Sequence, residues 1–235
     1  MSTDLLEIQR LDVAVDQLRH RRTHLLQRAA LEAALADQQT QQAAIDEVAA
    51  ARVEVATRQR KFEDEAQILS DKADTDESRL YGGEVSGLKD LEALQHEIAT
   101  LRERQAEFED QALEAMEEAE TLASRIVELE AARAGTDQQI AELESEIAEL
   151  ESEIDTEIGG LTAERARAVE GADHALITEY ERLRPAFGAA TVVTFDGSTC
   201  VGCPSTMPAM EVDRLKHLDG TDPASCTECG RIVLR

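Results

Sequence analysis

A seven-residue apolar repeat runs through most of residues 1–184 and constrains the fold of this chain more than any other feature. In the second half the repeat keeps one heptad phase without a slip, and it includes the literal repeat IAELESE-IAELESE-I at residues 140–154. A sustained period of seven predicts helices that supercoil around a partner seam. The seam residues of this half are Leu91, Leu94, Ile98, Leu101, Phe108, Ala112, Ala115, Ala119, Leu122, Ile126, Leu129, Ile140, Leu143, Ile147, Leu150, Ile154 and Leu161.

A second seam lies in the first half, where Arg22, Arg52 and Gln59 occupy some of its positions. Between the two halves, Gly82 and Gly83 can take the positive φ values that reverse a chain, and Ser86 can cap the next helix. This predicts a long antiparallel coiled-coil hairpin with its turn near residues 78–88; an intermolecular coiled coil is the rival interpretation. The apolar seam residues of the first half are Ile8, Leu11, Val15, Leu18, Leu25, Ile45, Val48, Val55, Phe62, Ala66 and Leu69.

The lengths of the two arms predict a break near Gly159-Gly160, level with the N-terminus, if each arm has about 70 residues at 1.5 Å per residue. The helix over residues 161–184 would then have no partner from the first arm. Its apolar face would need cover from the C-terminal region, a second copy of the chain or another protein. That face consists of Val169, Leu176, Ile177, Tyr180 and Leu183.

The charge of the chain is strongly negative, with 24 Lys+Arg against 50 Asp+Glu and a net charge of -26. Nearly all of the excess lies in residues 1–184, so this segment repels nucleic acid and anionic membranes. The basic cluster of Arg19, His20, Arg21 and Arg22 is more typical of a solvated helical turn than of a phosphate site. The sequence has neither a signal-peptide pattern nor an apolar run long enough to span a bilayer, which predicts a cytoplasmic protein without membrane contact.

The composition changes at Pro185, after which all four prolines and all four cysteines occur. We therefore predict a domain boundary there, with the hairpin in residues 1–184 and a small β-containing domain in residues 185–235. The cysteines form two C-x-x-C pairs, a spacing typical of a Cys₄ zinc ribbon. The sequence predicts one structural Zn²⁺ bound by Cys200, Cys203, Cys226 and Cys229. Two redox dithiols are the alternative, but neither pair lies in the βαβ context of such motifs.

The C-terminal region also carries signals for secondary structure. Residues 191–195 and 231–234 read as a pair of strands, with Asp196-Gly197 as a turn after the first. Residues 207–218 read as a short helix with Pro208 in its first turn, packed over the zinc site by apolar side chains. His217 lies on this helix and is expected to be exposed, because four thiolates already complete a tetrahedron.

A closed Cys₄ site argues against catalysis, because a catalytic zinc keeps an open position for water. The sequence has no recognisable Ser/His/Asp set or P-loop. We therefore predict a non-enzymatic adaptor with a protein partner, present as a monomer or weak dimer. Binding of RNA or DNA through the zinc ribbon is the alternative, although its cations are few for several phosphate contacts. These cations are Arg214, Lys216, Arg231 and Arg235.

Three motifs in this order resemble a known bacterial family. They are LYGGEVSGLKDLEALQHEI at the turn, YERLRP before the C-terminal region, and C-x-x-C…C-x-x-C-G-R-I at the end. The chain resembles the C4-type zinc ribbon proteins with an N-terminal coiled-coil hairpin, and its composition suggests an actinobacterial member. The resemblance implies a helical hairpin with a C-terminal zinc ribbon. It also implies a link to flagellar or type III secretion regulation through protein and RNA partners, as in some relatives.

Overall fold

The computed structural model describes residues 2–83, 85–195, 197, 199–217 and 224–234. It forms two compact units, here called the hairpin unit (Ala30–Glu142) and the cysteine unit (Met1–Ala29 with Leu143–Arg235). The helices are α1 (Ser2–Thr23), α2 (Leu26–Tyr81), α3 (Leu88–Glu170), α4 (His174–Phe187) and α5 (Ala209–His217). The strands are β1 (Val192–Thr194), β2 (Thr199–Cys200), β3 (Cys203–Thr206), β4 (Ala224–Ser225) and β5 (Ile232–Leu234).

In the hairpin unit, α2 and α3 run antiparallel and pair along their apolar seams. Near the turn, Lys72 Nζ lies 2.9 Å from Glu97 Oε1. Far from the turn, Gln38 Nε2 donates a hydrogen bond of 2.5 Å to Asp137 Oδ1. The predicted apolar seam residues of this unit are all buried or half-buried, whereas Arg52 at a seam position is exposed. The prediction of a long antiparallel helical hairpin is therefore confirmed, with the pairing made within one chain.

The turn of the hairpin follows Tyr81, where Gly83 has a φ of 78°. Only glycine adopts this left-handed region without strain, so the positive φ predicted for the turn is confirmed at Gly83 and is not found at Gly82. The Gly87 carbonyl accepts a 3.0 Å hydrogen bond from the Leu91 amide, and α3 begins at Leu88. Gly87, and not the expected Ser86, therefore lies at the cap of α3. Glu84, within the predicted turn, lies outside the described residues.

In the cysteine unit, α3 runs without interruption through Gly159-Gly160 and ends at Glu170. The predicted break at residues 159–160 is therefore wrong. The reason is the register of the arms: Ala168 and Val169 pack against the core cluster that includes Leu5 and Ile8 of α1, and Arg165 Nε donates a 2.7 Å hydrogen bond to Asp12 Oδ1 of α1. The helical segment beyond residue 160 thus has a partner from the first arm, contrary to the prediction. The chain bends after Glu170, and Asp173 Oδ1 then caps α4 by accepting a 2.7 Å hydrogen bond from the Ala175 amide.

A break that the heptad pattern did not signal separates α1 from α2 at His24-Leu25. The hydroxyl of Thr23 donates a 2.9 Å hydrogen bond to the His20 carbonyl, which competes with the helical bonding of the main chain. Leu25 remains buried, whereas Leu26 is 87% exposed. The seam therefore includes Leu25 at the break, while its neighbour Leu26 lies in solvent.

The strands form a three-stranded sheet in the order β1-β5-β4, with β1 and β5 parallel and β4 and β5 antiparallel. Side chains alternate across this sheet. Val192 and Ile232 face a core with α1 and α4, whereas Val193 and Val233 face a second core that contains cysteines. The predicted pairing of residues 191–195 with 231–234 is confirmed.

The predicted short helix is observed as α5, and Pro208 directly precedes it. Asp196 of the predicted turn and Leu218 of the predicted helix lie outside the described residues. Pro185 lies in the last turn of α4, so the domain boundary at this residue stays a prediction. Within the described part of the chain, none of the helices has the length and apolarity needed to cross a bilayer.

Candidate metal centre

The four cysteine sulfurs converge at one point of the cysteine unit. All four Sγ atoms lie within 4.8 Å of one another. Cys200 Sγ is 3.9 Å from Cys229 Sγ, and Cys203 Sγ is 3.7 Å from Cys226 Sγ. These distances are far longer than the disulfide bond of about 2.05 Å. The four side chains predicted as ligands are thus brought together as four free thiols.

Two short backbone turns position the cysteines. In the first pair, the β2–β3 hairpin places Cys200 opposite Cys203. In the second pair, the Gly230 amide donates a 2.8 Å hydrogen bond to the Cys226 carbonyl, and the Cys226 amide donates one of 2.9 Å to the Arg231 carbonyl. Gly230 has a φ of 73°, which directs the chain from Cys229 into β5. Each pair therefore presents two sulfurs from a turn whose backbone is tied to a strand.

The arrangement fits a tetrahedral zinc ion. A Zn–S bond of about 2.3 Å gives a regular tetrahedron with edges of about 3.8 Å. The two sulfur–sulfur distances, 3.9 Å and 3.7 Å, lie on either side of that edge. Thiolate sulfur is a ligand type that favours Zn²⁺ over hard cations such as Mg²⁺ or Ca²⁺. The donor set and its spacing are therefore compatible with one zinc ion.

The pKa values of the thiols show why the site suits a cation. A hydrogen bond with Cys229 and burial raise the pKa of Cys203 to about 12. Burial opposes ionisation of Cys229, but hydrogen bonds from the Arg231 amide, from the Cys203 and Cys226 thiols and from the Arg231 side chain bring its pKa down to about 7. Without a metal, the thiolate of Cys229 is therefore favoured and the thiolate of Cys203 is disfavoured. A bound cation would stabilise all four thiolates and release their protons.

The other residues singled out in the sequence lie away from this cluster. His217 is exposed, and its Nδ1 lies 2.8 Å from the Asp213 carbonyl oxygen of the preceding helical turn. In the basic cluster, Arg22 Nε lies 2.9 Å from Asp155 Oδ1, and the ring of His20 stacks on that of His24 at 3.9 Å. Arg22 interrupts the apolar seam, and the carboxylate of Asp155 on α3 compensates its positive charge.

The cations of the C-terminal region are largely engaged with the protein itself. Arg214 pairs with Glu211 of the preceding helical turn at 2.5 Å. Arg231 Nη1 donates a 2.8 Å hydrogen bond to the Gly202 carbonyl, and the guanidinium carbon lies 4.5 Å from the centre of the Phe187 ring. Arg235 lies outside the described residues. The contact of Arg231 with Gly202 in the first cysteine pair was not predicted, because these two residues are 29 positions apart and no local pattern links them.

The apolar face of α4, for which the sequence left three kinds of cover open, is covered by the chain itself. Ile177, Tyr180 and Leu183 are buried in one core with two residues of α1 and three of the sheet. Those five are Leu5, Ile8, Val192, Ile232 and Leu234. This face is therefore not available to a partner.

The fold and the cysteine cluster together define a helical hairpin protein with a small C-terminal strand region that could hold a metal. A family of this kind, the CT398-like coiled coil hairpin domain, matches residues 8–188. Two proteins of Mycobacterium tuberculosis, from strains H37Rv and CDC 1551 and both described as uncharacterized, are each 31% identical to this chain over 234 residues. The alignment covers 98% of this chain and 94% of each relative. The chain belongs to the CT398-like coiled-coil hairpin family.

Solved structures agree with this assignment. One from Mycobacterium smegmatis has a TM-score of 0.85 at 25% identity, and the match covers 100% of this chain and 97% of that one. CT398 from Chlamydia trachomatis has a TM-score of 0.69 at 21% identity, with coverage of 99% and 96%. The similarity to the chlamydial protein shows a shared fold.

Proposed function

We propose that this protein is a non-enzymatic adaptor whose C-terminal strand region is built around one structural Zn²⁺. Cys200, Cys203, Cys226 and Cys229 would hold the ion. The observation that carries the proposal is the closed set of four mutually adjacent sulfurs. When bound, zinc would supply folding free energy to a region whose own apolar core is small. Four thiolates would leave no position for a substrate or an activated water, which supports a structural rather than a catalytic ion.

The partner of the adaptor would be a protein, and it would bind the strand region. Val201, between the first two cysteines, is 61% exposed, and Met210, at the start of α5, is 88% exposed. Exposed apolar side chains next to a rigid metal centre are suited to protein contacts, and methionine adapts well to different partner surfaces. A cytoplasmic location, where cysteines stay reduced, would suit this arrangement. A link to flagellar or type III secretion regulation stays a prediction.

Affinity capture tests the adaptor proposal. The intact protein would be immobilised beside a Val201→Glu/Met210→Glu variant, with Val53→Glu as the matched control, since Val53 is 66% exposed in the hairpin unit. Captured proteins would be identified by mass spectrometry after each variant has been shown to bind zinc. We expect a specific partner to be retained by the control and lost by the double variant. Equal capture by all three would place the binding surface elsewhere.

Nucleic-acid binding is the second candidate, and the contacts of Arg214 and Arg231 weigh against it because both side chains already have partners in the protein. Binding of a fluorescent single-stranded RNA and a duplex DNA would be measured at several salt concentrations. A steep fall of affinity with salt, removed by Arg214→Ala, would favour this candidate over the adaptor. We expect no binding at about 0.15 M salt, where the acidic surface still repels phosphate at close range.

A further inference from the structure

Arg231 connects three separate parts of the cysteine unit. Its backbone carbonyl accepts a hydrogen bond of 2.9 Å from the Cys226 amide in the second cysteine pair. Its side chain reaches the first cysteine pair, where Nη1 donates a 2.8 Å hydrogen bond to the Gly202 carbonyl. Its guanidinium also lies over the ring of Phe187, the last residue of α4, at 4.5 Å. One residue thus touches both cysteine pairs and the end of a helix.

The first cysteine pair is shaped to admit this side chain. A Cβ atom built on Gly202 would lie 2.8 Å from Arg231 Cδ and 2.8 Å from Val193 Cγ1. Real Cβ atoms do not approach other carbon atoms so closely, so a larger residue at position 202 would displace Arg231 or β1. The absence of a side chain at Gly202 therefore lets Arg231 pass between the turn and the sheet.

The charge of Arg231 complements the site. Four thiolates around Zn²⁺ carry a net charge of -2, and Cys200 and Cys226 are only 1% and 2% exposed. A buried negative charge is costly unless a cation or hydrogen-bond donor lies nearby. The Nε of Arg231 is buried and makes no hydrogen bond to oxygen or nitrogen among the described residues.

We propose that Arg231 is a positioning residue for the metal centre and that, through Phe187, it couples metal binding to the docking of the strand region on α4. Zinc would hold the two cysteine pairs at the separation that Arg231 spans, and Arg231 would then lie against Phe187. By thermodynamic linkage, the Phe187 contact must strengthen zinc binding by the same factor by which zinc strengthens the contact. Phe187 thus influences the metal although it is not a ligand. This inference rests on the proposed zinc site.

Zinc affinity tests the coupling. The intact protein would be titrated against a chromophoric chelator that competes for Zn²⁺. We expect Arg231→Met to lower the affinity between about 10-fold and 100-fold, the range found for outer-shell partners of metal ligands. Arg231→Lys keeps the charge but loses the planar fork, so its loss should be smaller. Phe187→Leu keeps an apolar side chain but removes the ring, and a loss of about two- to fivefold is expected. Arg214→Met is the matched control and should bind zinc like the parent protein.

Cobalt substitution separates positioning from ligand loss. Co²⁺ bound by four thiolates has strong sulfur-to-metal charge-transfer bands, and these should keep their intensity in saturated Arg231→Met and Phe187→Leu. A double variant should bind zinc no more weakly than Arg231→Met alone, because Phe187 acts through Arg231. Hydrogen exchange in α4 should become faster when zinc is removed from the parent protein, and much less so in Phe187→Leu.

The outcomes are distinct for the metal site and for the coupling. If the parent protein binds neither Zn²⁺ nor Co²⁺ at the four cysteines, the proposed metal site is wrong. If the parent binds zinc but Arg231→Met and Phe187→Leu bind it equally well, the coupling is wrong and the metal site stands. If the fold losses of zinc affinity in Arg231→Met and Phe187→Leu multiply in the double variant, Phe187 does not act on the metal through Arg231, and the coupling is wrong. If Arg231→Met does not fold, Arg231→Lys and Phe187→Leu decide the question alone.

Discussion

The side-chain amide of Gln9 makes two hydrogen bonds to the backbone of Val192, 183 residues away in the sequence. Gln9 Nε2 donates to the Val192 carbonyl at 2.8 Å, and the Val192 amide donates to Gln9 Oε1 at 2.6 Å. Val192 begins β1, which lies at one end of the sheet order β1-β5-β4. An edge strand presents unpaired backbone groups. Gln9 satisfies two of them and thereby joins α1 to the three-stranded sheet.

Replacement of Gln9 by alanine should destabilise the cysteine unit by about 2 kcal/mol, because two hydrogen bonds are lost and partly buried backbone groups remain unpaired. Urea unfolding would measure the loss, and hydrogen exchange at the Val192 amide should become faster. Gln9→Glu should also destabilise, because a carboxylate cannot donate to the Val192 carbonyl. Gln17→Ala is the control, since Gln17 is exposed on the same helix. Equal stability of Gln9→Ala and the control would contradict this role.

Asp12 anchors a buried ionic cluster between α1, α3 and α4. Its Oδ1 accepts a 2.7 Å hydrogen bond from Arg165 Nε, and its Oδ2 accepts one of 3.0 Å from the Tyr180 hydroxyl. Asp12→Ala would leave these donors without their acceptor in a buried place, and we expect a loss of about 3 kcal/mol of unfolding free energy. Asp16→Ala is the control, because Asp16 is exposed and pairs with Arg184 at the surface; its cost should stay below about 1 kcal/mol. Similar losses of unfolding free energy in Asp12→Ala and Asp16→Ala would show that the buried position of Asp12 does not strengthen its contacts.

Tyr180 makes the stability of the cysteine unit sensitive to alkaline pH. Burial and the negative charge of Asp12 raise the pKa of this phenol well above its ordinary value of about 10. A folded-state pKa above the unfolded one gives stability that is complete below about pH 10 and is lost as pH rises toward the folded pKa. The unfolding free energy should therefore fall above pH 10 by up to about 1.4 kcal/mol per pH unit. Tyr180→Phe should lack this part of the slope.

A titration can assign the effect to one residue, because the chain has only two tyrosines and no tryptophan. In a Tyr81→Phe background, Tyr180 is the only source of phenolate absorbance. This absorbance should rise together with the loss of helical circular dichroism, and not before it. Ionisation near pH 10 in the folded protein would show that the hydroxyl is not held by Asp12.

The parts of the fold that the sequence predicted are those encoded by short-range patterns. The spacing within each C-x-x-C pair predicted that the four cysteines come together. The heptads predicted the apolar seam of the hairpin, because each seven-residue period spans only about two helical turns. The contacts of Gln9 with Val192 and of Asp12 with Tyr180 join residues 183 and 168 positions apart, and neither pair has a local pattern. They follow from the three-dimensional register of the arms. The same register explains why α3 extends past Gly159-Gly160: packing against α1 beyond these residues outweighs a cost of about 1 kcal/mol for each glycine in a helix.

The hairpin should be monomeric at low micromolar concentration. The apolar seam is used by pairing within the chain, as in the contact of Phe62 and Phe108, whose ring centres lie 6.2 Å apart. Size-exclusion chromatography with light scattering should give a mass near 25.8 kDa. A double-mutant cycle of Phe62→Leu and Phe108→Leu should show a coupling of about 0.5–1.5 kcal/mol that does not depend on protein concentration. A mass of twice this value at every concentration would favour the intermolecular coiled coil.

The four cysteines should hold about one equivalent of zinc in protein purified under reducing conditions without added metal. Cys226→Ser removes one thiolate from a core in which this residue is 2% exposed, so the zinc content should fall well below one equivalent. The strand region should become sensitive to proteolysis after α4, because its folding free energy would come from the metal. The helical circular dichroism should change little, since the seam of α2 and α3 contains no metal ligand. A chelator should bring the parent protein to the same state.

Ser225→Ala is the matched control for this experiment. Ser225 is the exposed last residue of β4 and directly precedes Cys226. The control variant should keep its zinc and its resistance to protease, which would show that the loss in Cys226→Ser comes from the sulfur and not from disturbance of β4. A reduced parent protein that contains no metal and four titratable thiols, and that forms two disulfides reversibly on oxidation, would contradict the zinc site. The redox interpretation, with one dithiol in each C-x-x-C pair, would then replace the structural zinc.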